Sequence, residues 1–425
     1  MVWLQIQLYR GLWWLLTPLL PHYLARRCRA GREDGLRWRE KLGQPSLPRP
    51  SGPLVWIHGA SVGEILSALI IIDGLLQRED STEILITTGT VTSARLMGQR
   101  RVHPRLRHQF MPLDHPRAVK KFIQHWRPDR VMWLESELWP NFLRELKRSK
   151  IPVQLVNGRL SESSRRHWRR WGRGLATQLL GCFTEILPQS AGDAERFASL
   201  GARRIGMVGN LKLLAPPLPV DEARLTETWA AIGHKPIWLA ASTHPREESM
   251  IAASHQRLVS QFPELITVIV PRHPERGEAI VSQISAQFPT LRLGRRSLGD
   301  GLDAGIFIAD SLGELGLWYR AIPLVLMGGS LVQHGGQNPL EPLHFGCAVV
   351  VGPHMENFAE LVESLFAVPG IRQFGDSDKL AAVIAEMLLE SPAAATLGLA
   401  GQGWLKQQTA QGQKLIDHLL QESTQ

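Results

Sequence analysis

A chain of 425 residues is long for one hydrophobic core, and two domains of about 200 residues each are the natural division. Hydrophobic residues at 44% and charged residues at 20% exclude a disordered or fibrous class, while a formal charge of +9 calls for an anionic partner or surface. Cys28, Cys182 and Cys347 lie too far apart for a disulfide framework or a zinc knuckle, and no histidines show metal-ligand spacing, so a reducing compartment fits and no metal is expected.

The first element is MVWLQIQLYRGLWWLLTPLLPHYLARRCRAGR, apolar and tryptophan-rich, interrupted by Arg10, punctuated by Pro18 and Pro21, then basic through Arg26, Arg27 and Arg29. A full span wants about 20 predominantly apolar residues, and a secretory signal ends in small ones. Residues 1–30 therefore read as an N-terminal apolar anchor helix, short or interfacial, with the basic side and the body of the chain in the cytoplasm. A hydrophobic helix docked on the protein itself is the other reading of the same residues.

From Leu54, short apolar runs alternate with helix-like segments: LVWIH, EILITT, RVMWLE, PVQLVN and TEILPQ. Strands buried on both faces read as such near-continuous runs, so this rhythm predicts a parallel sheet covered by helices. Before the last run, Arg165, Arg166, Arg169, Arg170 and Arg173 crowd around Trp168 and Trp171. That patch suits the phosphates of nucleic acid, of an anionic membrane or of a substrate, and equally a solvated helix face. GNLKLLAPPLPVDE breaks the rhythm with Pro216, Pro217 and Pro219, which places a linker over 213–222. The rhythm resumes in PIWLAAS, LITVIVP, GIFIAD, IPLVLMG and CAVVVGP. The expected architecture is α/β, with two doubly wound, Rossmann-like parallel-sheet domains over 31–212 and 223–400 facing an interdomain cleft, then a C-terminal helical segment over 401–425.

In open α/β sheets ligands bind beyond the carboxyl ends of the strands. The loops there in the first domain, HGASVGE, ESELWPN and NGRLSES, carry carboxylates and hydroxyls that suit a sugar acceptor, with Ser61, Glu64, Glu135, Glu137 and Arg159 as candidates. In the second, ASTHPREE, PRHPER and GGSLVQHGGQNPLE set Arg272, His273 and Arg276 beside glycine pairs, a pattern suited to phosphate. The glycines of HGASVGE make neither a dinucleotide fingerprint nor a phosphate loop, and Ser61 with Glu64 also fits a capping box.

In chain order, HGASVGE, ESELWPN, NGRLSESS, GNLK, PRHPER, DSLGELG and GGSLVQHGGQNPLEP closely resemble the bacterial 3-deoxy-D-manno-octulosonic acid (Kdo) transferases of lipopolysaccharide synthesis, inverting glycosyltransferases of the GT-B fold, over nearly the whole chain. Ser311 and Leu312 stand where Thr and Met are expected, and Gly158 where Ala is commoner. The resemblance implies transfer from CMP-Kdo to a glucosamine hydroxyl of a lipid A precursor at the cytoplasmic face of the inner membrane, without a further cofactor and without nucleic acid. It implies Glu64 as the catalytic base. Arg272 and the N–H groups of Gly328 and Gly329 are then expected to stabilise the departing phosphate, with His273 beside them and Lys212 reaching a phosphate or the donor's carboxylate. Asn338 and Glu341 are expected to open a helix whose N-terminus points at the nucleotide. Asp310 and Glu314 match family positions without separate roles. A UDP-sugar transferase on a lipid-linked acceptor and a non-catalytic scaffold for anionic lipid are the competing readings. Retention of Glu64, Arg272 and the glycine block argues against the scaffold.

Overall fold

The computed structural model describes residues 2–78, 81–100, 103–135, 137–302 and 305–421, and the chain forms two compact units. Unit 1 is Met1–Ala215 with Gln408–Gln425, and unit 2 is Pro216–Gln407.

Unit 1 is built on six parallel strands: β1 (Leu54–Gly59), β2 (Glu83–Thr88), β3 (Leu106–Phe110), β4 (Arg130–Leu134), β5 (Val153–Gly158) and β6 (Glu185–Pro188), in the order β3-β2-β1-β4-β5-β6. Every residue of β1 is buried, because helices cover both faces of the sheet. On one face Trp56, Phe122, Trp133 and Phe142 pack against one another, with the Trp56 and Phe122 ring centroids 4.8 Å apart. On the other, Ile71, Ile72 and Leu75 of the helix Val62–Arg78 meet Leu415, Ile416, Leu419 and Leu420 of the last helix, Ser391–Gln421. In the segment over 401–425, Leu415, Ile416, Leu419 and Leu420 recur about one helical turn apart and are buried in the core of unit 1, and residues 422–425 lie outside the described ones. β3, LRHQF, is absent from the apolar rhythm: it is an edge strand, where the Arg107 side chain stays partly exposed and the His108 ring is held by Thr88 and Arg37.

The N-terminal helix Val2–Leu16 continues through a single turn into Leu20–Arg29. One face docks on unit 1: Ile6 is buried, the Tyr9 hydroxyl donates to Asp114 Oδ2 (2.9 Å), and Thr17 Oγ1 lies 3.0 Å from His115 Nε2. The opposite face exposes Trp3, Leu4, Leu8, Leu12, Leu15 and Leu19. No single described helix is long and apolar enough to cross a membrane.

Unit 2 has seven parallel strands: β7 (Ile237–Thr243), β8 (Ile266–Pro271), β9 (Leu293–Arg295), β10 (Gly305–Ile308), β11 (Leu324–Met327), β12 (Ala348–Val351) and β13 (Arg372–Gln373). They run in the order β13-β12-β11-β7-β8-β10-β9. Its core joins Trp238, Ile269, Ile308, Leu326 and Val350 from the strands to Ile251, Ile280 and Ile384 from the helices. In each sheet the first strand is central, flanked by its successor on one side and a later strand on the other. The chain therefore winds away in opposite directions from β1/β4 and from β7/β11, and the loops beyond these pairs part to leave a crevice.

Candidate functional site

The β1/β4 crevice of unit 1 gathers five of the expected residues, Ser61, Glu64, Glu135, Glu137 and Lys212. β1 ends at Gly59, and the helix beginning at Val62 carries Glu64 in its first turn. Glu64 is buried; its Oε2 accepts the N–H of Ala60 at 2.7 Å, and its own N–H points at Ser61 Oγ at 3.3 Å. This is nearly a capping box, with Ala60 in place of the Ser61 amide. Burial pushes the Glu64 carboxyl above its ordinary value, the Ala60 and Ser61 bonds oppose this, and the nearby Glu135 carboxylate adds to it.

Glu135 follows β4 with φ +59°, a left-handed conformation unusual for a side chain larger than glycine. Its Oε1 meets Lys212 Nζ at 2.5 Å. Lys212 is set in place by two asparagines: Asn157 Oδ1, at the end of β5, accepts the Leu211 N–H (3.1 Å), and Asn210 Oδ1 accepts the Lys212 N–H (3.0 Å). A Cβ at Gly63 would lie 3.8 Å from Lys212 Cε, so the ion pair borders the helix start that carries Glu64. Lys212, expected among the donor-binding residues, is thus placed with Glu64 and Glu135.

His58 of β1 was not among the expected residues, although a histidine at the end of an otherwise apolar run is a visible signal. It is fully buried between Thr87 Oγ1 (2.9 Å from Nδ1) and Glu137 Oε2 (3.5 Å from Nε2). Trp56 Nε1 donates to the same Thr87 oxygen (2.8 Å), so one hydroxyl ties both side chains of β1 to β2. Arg159 is exposed beyond β5 and joins none of these groups.

At the β7/β11 crevice of unit 2, the two glycines serve the chain itself. The Gly328 N–H donates to the Ala241 carbonyl (2.7 Å) and the Gly329 N–H to Glu247 Oε2 (2.7 Å), which corrects the expectation that these amides face a phosphate. A Cβ at 328 would collide with the Ser242 carbonyl, and Gly329 has φ +69°, so both positions need glycine for backbone reasons. Glu247, missed in the sequence, is the organiser. Fully buried, it also accepts the N–H groups of His244 (2.8 Å) and Leu331 (2.9 Å), joining the loops after β7 and β11 through one carboxylate. Next to it, buried Glu248 accepts from Thr243 Oγ1 (2.9 Å) and Arg276 (2.8 Å).

A concavity of about 600 Å³ opens here, lined by His244, Arg246, Leu331, His334 and His354. The His244 and His334 rings stack 3.7 Å apart, and the Gln337 side-chain amide lies 2.8 Å from His244 Nε2. Burial above all, and then the neighbouring His334, His273, Arg276 and Arg272, push His244 down to about 4. Arg272 and His273 are exposed after β8. Glu341 is raised by burial, and Asn338 and the charge of Arg272 oppose this. Asn338 reaches Glu341 (3.4 Å) and accepts the Leu340 N–H (3.1 Å), but the helix they open, Leu340–Leu343, is a single turn. It is too short for the dipole expected of it, since aligned peptide units must add over several turns. Asp310 and Glu314 are engaged in structural pairs: Asp310 with Arg295 (2.5 Å) and Ser297, Glu314 with Arg224 (2.6 Å) and Arg296 (3.0 Å). Among the described residues no group of three or more His, Cys, Asp or Glu side chains is placed to hold a metal ion.

A sequence model of 3-deoxy-D-manno-octulosonic-acid transferase (kdotransferase) matches residues 36–215. A 3-deoxy-D-manno-octulosonic acid transferase of Rickettsia bellii is 30% identical, over 98% of this chain and 98% of its own length. One of Haemophilus influenzae is 32% identical, over 90% and 91%. Among solved structures, the UDP-GlcNAc 2-epimerase of Neisseria meningitidis bound to UDP-GlcNAc matches 87% of this chain and 100% of its own, with TM-score 0.57 and 11% identity, a likeness of fold alone.

Proposed function

Because the chain belongs to the 3-deoxy-D-manno-octulosonic acid (Kdo) transferase family, we propose that this glycosyltransferase moves Kdo from CMP-Kdo to a hydroxyl of a lipid A precursor, with Glu64 of unit 1 as proton acceptor and the β7/β11 loops of unit 2 as donor site. The observation that carries the reading is the buried Glu64 carboxylate at the β1/β4 switch point, with its affinity for a proton raised. In the transfer, the acceptor oxygen bonds to the anomeric carbon of Kdo while the bond from that carbon to the phosphate oxygen breaks, its electron pair leaving with CMP. The hydroxyl proton passes to the Glu64 oxygen not engaged by Ala60. Negative charge grows on the departing phosphate, and Arg272 beside His244 and Arg276 offsets it; Glu341 accepts from the ribose. Lys212 compensates the Glu135 carboxylate, so that Glu64 ionises beside a pair rather than beside a bare charge.

The exposed stripe Trp3, Leu4, Leu8, Leu12 and Leu15 supports a chain lying on the cytoplasmic face of the inner membrane, its docked face held by Tyr9 and Thr17. The arginines of the helix Glu162–Trp171, with Trp171 exposed, suit the phosphates of the acceptor. Incubation with CMP-Kdo and a lipid A precursor, with products read by mass, tests the proposal. The expected product is the precursor carrying added Kdo; consumption of a UDP-sugar in place of CMP-Kdo overturns the donor assignment.

A further inference from the structure

Unit 1 contains a second concavity, of about 600 Å³, that shares no residue with the Glu64 cluster. Arg10 of the N-terminal helix, Lys120 of the helix Pro116–Trp126, and Arg144, Lys147 and Arg148 of the helix Pro140–Arg148 line it, and Glu145 is its single acidic side chain. Glu145 is taken by Arg148 (2.6 Å), and Lys147 donates to the Gly181 carbonyl (3.0 Å). Among the described residues Arg10, Lys120 and Arg144 have no carboxylate partner, and Arg144 Nη1 is buried without any hydrogen-bond acceptor. A buried cationic donor with nothing to donate to is an unfavourable arrangement, and the lining sets five cationic side chains against one carboxylate, its other polar side chains being the neutral Asn141 and Gln178. A phosphate supplies both negative charge and acceptor oxygens.

The position of Arg10 names the source. One turn after buried Ile6, it stands at the border between the docked face of its helix and the exposed Leu4, Leu8, Leu12 and Leu15. Where that stripe lies in the edge of a bilayer, the cavity beside it opens at the depth of the headgroups. We propose that this cavity binds the phosphate headgroup of an anionic membrane phospholipid and so orients the chain on the membrane; the inference rests on the membrane reading of the N-terminal helix.

Flotation of the full chain with phosphatidylcholine vesicles, with and without phosphatidylglycerol, tests it. The pairs Arg10→Gln with Arg144→Gln, and Arg10→Gln with Lys120→Gln, are expected to lower the preference for phosphatidylglycerol by roughly tenfold while binding to neutral vesicles persists. The second pair leaves half-buried Arg144 intact, should the first fail to fold. Arg203→Gln with Arg204→Gln, an exposed pair elsewhere on unit 1, is expected to change the preference little. Leu8→Ser with Leu12→Ser is expected to weaken binding to both vesicles. Equal loss in the Arg203/Arg204 control, or an undiminished preference in the cavity variants, overturns the site and leaves the membrane reading standing. Failure of the unaltered chain to bind either vesicle overturns both. Glycerol phosphate displacing the chain at the same phosphate concentration would assign the cavity to a soluble anion and overturn the lipid.

Discussion

At Glu64 two explanations that compete on paper coincide. The Ala60 amide holds one carboxylate oxygen and Ser61 receives the Glu64 amide, so the residue closes the helix start and presents a carboxylate by the same contacts. Glu64→Gln keeps an oxygen for Ala60 and loses only the proton acceptor. Turnover is expected to fall by about 10²–10⁴-fold with CMP affinity unchanged. The effect on stability has a definite sign. The folded carboxyl binds its proton more tightly than the unfolded one, so stability falls as pH rises through the folded value, and at neutral pH the ionised group opposes folding. Gln removes that charge, so the melting temperature should hold or rise slightly. Near-normal turnover in a folded Glu64→Gln protein would show that the contacts are a cap alone.

The element that organises unit 2 is the first turn of the helix Glu247–Leu258. Three amides from two loops converge on the Glu247 carboxylate, and the adjacent Glu248 fixes Arg276, so one helix start sets the loops that carry His244 and Arg276. Glu247→Gln turns one acceptor into a donor facing an amide. A loss of about 1–3 kcal/mol in unfolding free energy is expected, together with weaker CMP binding, and Glu247→Ala should be worse on both counts. Denaturant melts and calorimetry with CMP check this; a CMP affinity equal to that of the parent would separate these loops from the nucleotide. Two adjacent glutamates after a strand were visible in ASTHPREE, but the partners of Glu247 at Gly329 and Leu331 were not. They are more than 80 positions away, and only the pairing of β7 with β11 brings them together.

Across the whole molecule, acid should act in two stages. Burial lowers His108 in unit 1 to about 3 and His255 in unit 2 to about 4, with flanking cations adding to the effect at His108, so both stay neutral in the fold while the unfolded chain takes up protons below about 6.5. Stability is then intact above that pH and declines as pH falls toward the folded values, by roughly 3 kcal/mol for His255 alone. Asp310 and Glu314 follow: burial raises them, but Arg295 with Ser297, and Arg296 with Arg224, outweigh it, so their contribution persists above the ordinary carboxylate range and disappears below it. Urea midpoints constant from pH 7.5 down to 5 would contradict the first stage. What the sequence by itself determined is the part written in local composition: two parallel sheets, because a strand buried on both faces must be apolar throughout, and the post-strand loops, because they interrupt those runs with glycine and charge. The tertiary structure alone decided the edge strand β3, the last helix completing the core of unit 1, the Lys212–Glu135 pair, and the use of the Gly328 and Gly329 amides within the chain. Each of these depends on which distant segments become neighbours, and a contact between residues far apart in the chain leaves no mark on the composition around either of them.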